Sequence, residues 1–236
     1  MKVALICFSL TGQQTGERLC RGLEAAGMTA ELDKKSKYLP DSIQISTSAW
    51  AGEKFSDSDA LIFIGATGIS VRSIAPYVAS KKSDPAVLVV DECGKFVISL
   101  LSGHLGGANE LALKTAEILE AIPVVTTATD LHHRFAVDVF AKKNHLYFTE
   151  REAAKQISAA VLDGKQVGLW IGEGLVFEQE DFQKSCLKEL ILCGSQEELY
   201  SFAEEHPVIV ITKTAEEGRQ FVESLAGSLW GDVRNN

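Results

Sequence analysis

ALIFIGATGISVRSIAPYV, residues 60–78, passes from an apolar run through a glycine turn into a helical pattern. Ala60–Ala66 carries no polar side chain, as a parallel strand covered on both faces requires. Gly65 and Gly68 let the chain turn sharply and, lacking Cβ, let a ligand approach the backbone. Thr67–Val78 then reads as a helix that Pro76 shortens, because proline has no N–H and its ring collides with the preceding turn. A buried strand feeding a helix through such a turn is the unit of a doubly wound α/β sheet.

The same rhythm extends in both directions. Upstream, KVALICF (Lys2–Phe8) is a β-rich apolar run, and the polar loop Ser9–Gly16 leads into a helix. That helix has Leu19, Leu23 and Ala26 on its apolar face and Gly27 as its stop. Thr29–Leu32 reads as a second strand and Ser48–Phe55 as a short helix. Downstream, Asp84-Pro85 precedes the strand AVLVV (Ala86–Val90), and Asp91–Gly94 turns the chain into KFVISL (Lys95–Leu100). A glycine-rich loop, a helix over Glu110–Glu120 and a strand over Pro123–Ala128 complete the pattern. Right-handed crossovers set loops that follow parallel strands at one edge. The loops Ser9–Gly16, Gly65–Arg72 and Ser99–Asn109 are expected there, converging if the strand order allows.

A second unit begins near Phe135, with helical patterns at Phe135–Lys143 and Glu150–Leu162 and strands at Gln166–Ile171 and Pro207–Thr212. A charged, helix-like region separates the two strands, and Ala215–Leu229 is the last helix. The expected fold is therefore α/β in two units. Residues 1–134 form an open doubly wound Rossmann-like or flavodoxin-like sheet, and residues 135–236 form a smaller α/β unit.

Composition narrows the function. The 236 residues are 46% hydrophobic and 23% charged, enough for a core in each unit without metal or disulfide support. Acidic residues outnumber basic ones 32 to 23, for a formal net charge of −9, so no basic footprint suggests a nucleic-acid partner. No apolar run reaches the eighteen or so residues of a membrane span, and Met1–Ser9 lacks signal-peptide form. Five scattered cysteines without a CxxC pair suit a reducing compartment, which makes the cytoplasm the expected location.

Three loops carry candidate chemistry. Ser9–Thr15, small and polar between strand and helix, offers N–H groups and hydroxyls to an anion, or is an ordinary turn capped by Thr11. It loosely resembles a flavodoxin phosphate loop, which would make the protein a flavin-dependent redox carrier. In Gly65–Arg72, the residues Gly65, Thr67, Gly68 and Arg72 could grip a carboxylate through bare N–H groups and a guanidinium fork. Alternatively, Arg72 is a surface residue paired with an acid. Ser102-Gly103-His104-Leu105-Gly106-Gly107-Ala108-Asn109 surrounds one histidine with three glycines. That exposes an imidazole able to take and return a proton, with Asn109 as the expected N-cap. The plain alternative is a histidine in a structural hydrogen bond. Asp91 and Glu92 end AVLVV, where either could orient His104, act as base on a water, or simply begin a hairpin turn. Thr127 and Asp130 are expected at the rim. There is no GxSxG elbow and no HExxH.

GATGISVRSIAP (Gly65–Pro76), DPAVLVVDECGKFVISLLSGHLGGANELA (Asp84–Ala112) and PVVTTATD (Pro123–Asp130) resemble, in order and spacing, the signature blocks of the CbiG family. The resemblance implies hydrolysis of cobalt-precorrin-5A in anaerobic cobalamin biosynthesis. The δ-lactone opens, acetaldehyde departs and cobalt-precorrin-5B results. The substrate is a corrinoid fringed with carboxylates that carries its own cobalt, so no cofactor is expected. On this reading His104, helped by Asp91 or Glu92, activates water, and the N–H groups of Gly106 and Gly107 hold the oxyanion. Ser102, Gly103, Asn109, Thr127 and Asp130 join Gly65, Thr67, Gly68 and Arg72 in binding substrate. Members of the family usually continue into a C-terminal domain whose motif does not occur here. The expected partners are thus a separate C-terminal-domain protein or other corrin-pathway enzymes. The alternative is a non-catalytic corrinoid-binding module that needs that domain.

Overall fold

The structure is a computed structural model describing residues 1–80, 83–104, 106–127, 135, 137, 140–141, 144–148, 151–175 and 189–229. Two compact units divide the chain, Met1–Thr127 and Ala128–Asn236.

In the first unit the elements run β1 (Lys2–Cys7), α1 (Leu10–Ala25), β2 (Thr29–Lys34), α2 (Thr47–Asp57), β3 (Ala60–Ile64) and α3 (Thr67–Ile74). They continue with β4 (Ala86–Val90), β5 (Phe96–Leu101), α4 (Ala108–Leu119) and β6 (Ile122–Val124). The sheet order is β2-β1-β3-β4-β5-β6. Every neighbouring pair is parallel except β4 and β5, which form an antiparallel hairpin.

Side chains alternate across the pleat and build two cores. Leu5, Ile62 and Leu88 face Leu19 and Leu23 of α1 and Leu111 and Leu119 of α4. Ile6, Leu61 and Phe63 face Trp50 of α2 and Ile74 of α3. Trp50 meets Phe63 edge to face at 5.5 Å between centroids, and its indole N–H donates to Asp33 Oδ2 at 2.7 Å. Both faces of β3 and β4 are therefore covered. That explains their unbroken apolar runs, with each fully buried Leu or Ile contributing about 1.5–3 kcal/mol.

Local chemistry sets the element ends. Ser9, not Thr11, caps α1, its Oγ accepting from Gly12 N at 3.0 Å. The helix closes where Gly27 takes φ +79° and Met28 N–H returns to Leu23 O at 3.0 Å. The hairpin turn is organised by Asp91. Its carboxylate accepts from the backbone N–H groups of Cys93, Lys95 and Phe96 at 3.0, 2.7 and 2.6 Å, while Gly94 adopts φ +68°.

The second unit is a parallel sheet ordered β8-β7-β9, with β7 at Val167–Ile171, β8 at Leu190–Leu192 and β9 at Val208–Ile211. Its helices are α5 (Arg151–Leu162), α6 (Gln196–Ala203) and α7 (Ala215–Leu229). Ile157 and Val161 pack on one side with Phe135 and Phe140, and Leu199 packs with Trp170 and Phe221 in a separate cluster. The region expected to be helical between its two anticipated strands also holds the three-residue strand β8, too short for its periodicity to show. The helix expected over Phe135–Lys143 lies partly outside the described residues. Among the described residues no helix is long and apolar enough to cross a membrane.

Candidate functional site

The β4–β5 hairpin separates loops that were expected to converge. Strands β1, β3 and β4 all end at one edge, but β5 runs back, pairing Val90 with Val97 and Val87 with Leu101. Five residue steps of about 3.3 Å put the end of β5 on the order of 17 Å from the hairpin turn. Strand β6 is parallel to β5, with its last residue Val124 opposite Ile98, so the chain leaves it toward the same edge. The sheet therefore has two chemically distinct edges.

At the first edge, the sheet order reverses beside β1 and β3, where open α/β sheets commonly bind ligands. Ser9 Oγ donates to Glu92 Oε2 at 2.6 Å, and Thr15 Oγ1 donates to the Glu92 carbonyl at 2.7 Å. A carboxylate of the chain itself thus faces the start of α1, the place expected to seat a phosphate or other anion. Gly65 lies against Phe8, where an added Cβ would come within 2.9 Å of the ring. Thr67 opens α3, and the Arg72 guanidinium folds back over Gly68. Arg72 is exposed and forms no ion pair among the described residues.

The second edge holds the glycine-rich loop. Ser102 leaves β5 in the left-handed region at φ +59°. Its carbonyl accepts from Ala108 N at 3.1 Å, Gly103 O accepts from Asn109 N at 3.0 Å, and His104 O accepts from Gly107 N at 2.9 Å. The loop is thereby folded onto the first turn of α4. Gly107, at φ +83°, is the N-cap residue. Asn109, expected in that role, sits inside the helix with its side chain buried. Its Oδ1 accepts from Ser99 Oγ at 2.7 Å and its Nδ2 donates to Thr127 Oγ1 at 2.8 Å. One amide thus joins β5, α4 and the residues after β6.

His104 is half-buried in this loop. The Gly106 N–H makes no hydrogen bond among the described residues, whereas the Gly107 N–H is already used, leaving one of the two expected oxyanion donors. An imidazole two residues before an unbonded N–H at a helix start is a pair of groups suited to adding water to a carbonyl.

The structure thus brings Ser102, Gly103, His104, Gly106, Gly107, Asn109 and Thr127 together at the second edge. Gly65, Thr67, Gly68, Arg72, Asp91 and Glu92 sit at the first. The expected help of Asp91 or Glu92 to His104 is not formed. Asp91 is engaged by three backbone N–H groups and Glu92 by Ser9, and both lie across the sheet from the histidine. Asp130 lies outside the described residues. Ser99 was missed as a site residue. A serine within a strand gives no signal of its own, because its role depends on a partner ten residues away.

Residues 49–130 match the family described as cobalamin synthesis G N-terminal, and residues 135–222 match the cobalamin biosynthesis central region of the same family. The cobalt-precorrin-5A hydrolase of Salmonella typhimurium is 41% identical over 169 residues, covering 71% of this chain and 48% of that protein. The cobalt-precorrin-5A hydrolase of Priestia megaterium is 43% identical over 115 residues, covering 49% of this chain and 31% of that protein. The chain thus spans at most about half the length of these curated relatives. The crystal structure of a putative cobalamin biosynthesis protein G homolog from Sulfolobus solfataricus has a TM-score of 0.53 at 19% identity. It covers 96% of this chain and 69% of that one, a likeness of fold. Matched in turn by the N-terminal and central regions of one family, the chain belongs to the CbiG family of cobalamin biosynthesis.

Proposed function

We propose that the chain carries the lactone-opening site of a cobalt-precorrin-5A hydrolase at the second edge of its first sheet. The observation that supports this most is the position of the His104 loop, inside the region matched by the family and folded against the start of α4. His104 takes a proton from water as the oxygen adds to the lactone carbonyl, and Gly106 N–H donates to the oxyanion. Collapse breaks the ring C–O bond and frees a hydroxyl, which leaves a carboxylate on the macrocycle. When that hydroxyl loses its proton, it becomes the carbonyl of acetaldehyde as the bond to the macrocycle breaks. The bonding pair stays on the macrocycle, which takes up a proton. Cobalt arrives with the substrate, so this chemistry asks for no cofactor held by the chain. The free thiols Cys7, Cys20, Cys93 and Cys193 suit a cytoplasmic setting.

The test is to incubate the chain with cobalt-precorrin-5A, assaying acetaldehyde and following the corrinoid by mass. Release by the chain alone supports the proposal in full. Binding without release, restored when the remaining half of a relative is supplied in trans, assigns the chain the corrinoid-binding part of a larger enzyme. Neither binding nor release under either condition would sink the proposal.

A further inference from the structure

We infer that Ser102 is a substrate-binding hydroxyl, donating to a carboxyl-derived oxygen of the ligand, and that its place in the fold is kept for binding at the expense of stability. This rests on the functional reading above. Two independent features of the residue point this way. Its backbone lies in the left-handed region at φ +59°, where a side chain with a Cβ is strained. Its hydroxyl, on a residue only 8% exposed, finds no hydrogen-bond partner among the described residues.

A buried hydroxyl without a partner destabilises a fold, and alanine at this position would remove it. Glycine would remove the backbone strain as well. Neither feature is offset by a structural bond to the side chain, and the hydroxyl is not bonded to His104. That arrangement does not support a serine activated as nucleophile. It suits a donor left unsatisfied until a ligand supplies an oxygen. Gly106 packs directly on Ser102, so closely that a Cβ added to it would lie 2.3 Å from Ser102 Cβ. Gly103, Gly106 and Gly107 give this part of the loop the torsional freedom to shift and uncover the hydroxyl. Once uncovered, it sits two residues from His104, at the edge where the carboxylate-fringed corrinoid is proposed to bind.

The experiment compares Ser102→Ala with the wild-type chain in two measurements. In thermal unfolding the variant is expected to melt at the wild-type temperature or up to about 5 °C above it. A fall of more than about 2 °C would show a structural hydroxyl and overturn the inference. In a titration with cobalt-precorrin-5A followed by corrinoid absorption, the variant is expected to bind about tenfold or more weakly. Equal binding by both proteins removes Ser102 alone from the site. A wild-type chain that binds no corrinoid, alone or with the remaining half of a relative supplied in trans, removes the functional reading, and this inference with it.

Discussion

Asn109 Nδ2 donates to Thr127 Oγ1 at 2.8 Å while Asn109 Oδ1 accepts from Ser99 Oγ at 2.7 Å, so one buried amide ties the segment after β6 to β5 through α4. Removing the amide leaves the Ser99 hydroxyl without its acceptor in a half-buried position. Asn109→Ala should therefore cost about 2 kcal/mol of stability. Combined with Thr127→Val in a double-mutant cycle, it should show a coupling of about 1 kcal/mol, measured by urea unfolding. Strictly additive effects would mean that the Asn109–Thr127 bond contributes nothing to the fold.

Glu92 and His104 are separated by the length of β5, and that separation makes a kinetic prediction. On the proposed lactone opening, Glu92→Gln should alter acetaldehyde release by less than about threefold, because the carboxylate cannot reach an imidazole across the sheet. His104→Ala should lower release by roughly 100-fold or more, the usual range for a general base. Both are read from steady-state kinetics, with circular dichroism confirming the fold. Equal losses in the two variants would require Glu92 and His104 to act together, against the topology.

This separation also marks the limit of what the sequence could disclose. The strands Ala60–Ile64, expected to run on to Ala66, and Ala86–Val90 were legible because burial on both faces leaves no polar residue in the run. Helix α7 was legible end to end from its periodicity. The direction of β5 was left open, since KFVISL pairs equally well either way and a hairpin turn at Asp91 was one of several readings. It was decided by Asp91, whose carboxylate closes a tight hairpin through three backbone N–H groups. Three glycines around His104 identified a special loop, but not which edge held it. Asn109 read as a cap because asparagine favours caps, yet tertiary bonds to Ser99 and Thr127 drew it into the helix.

Gly106 offers a steric test of the same loop. A methyl group there would lie 2.3 Å from Ser102 Cβ and 2.7 Å from Ser102 O, and the second contact is backbone that cannot rotate away. Gly106→Ala should destabilise the chain by about 1–3 kcal/mol and, by displacing the neighbouring His104, reduce turnover about tenfold or more. Gly27→Ala is the control. An added Cβ meets nothing there, but φ +79° costs about 1 kcal/mol, with turnover unchanged. If Gly106→Ala behaved like that control in both assays, the loop would not pack as described.

The buried thiols predict how stability responds to alkali. Burial pushes the Cys7 thiol from 9.0 up to about 11, against a partial pull downward from Lys34. Burial likewise pushes Cys20 up to about 11, helped by Glu24 and Glu17. Both groups hold their proton more tightly when folded. Their contribution is therefore fully present below pH 9, the unfolded value, and is lost as pH rises through about 11. For fully buried Cys7 the loss is at most roughly 3 kcal/mol. Urea midpoints should thus stay level in this respect up to pH 9 and then fall. The fall should be shallower in the Cys7→Ala/Cys20→Ala chain, whatever its starting stability at neutral pH. Other groups also titrate in this range, so the difference between the two slopes is the quantity to read. Identical slopes would mean that neither thiol is protected by the fold.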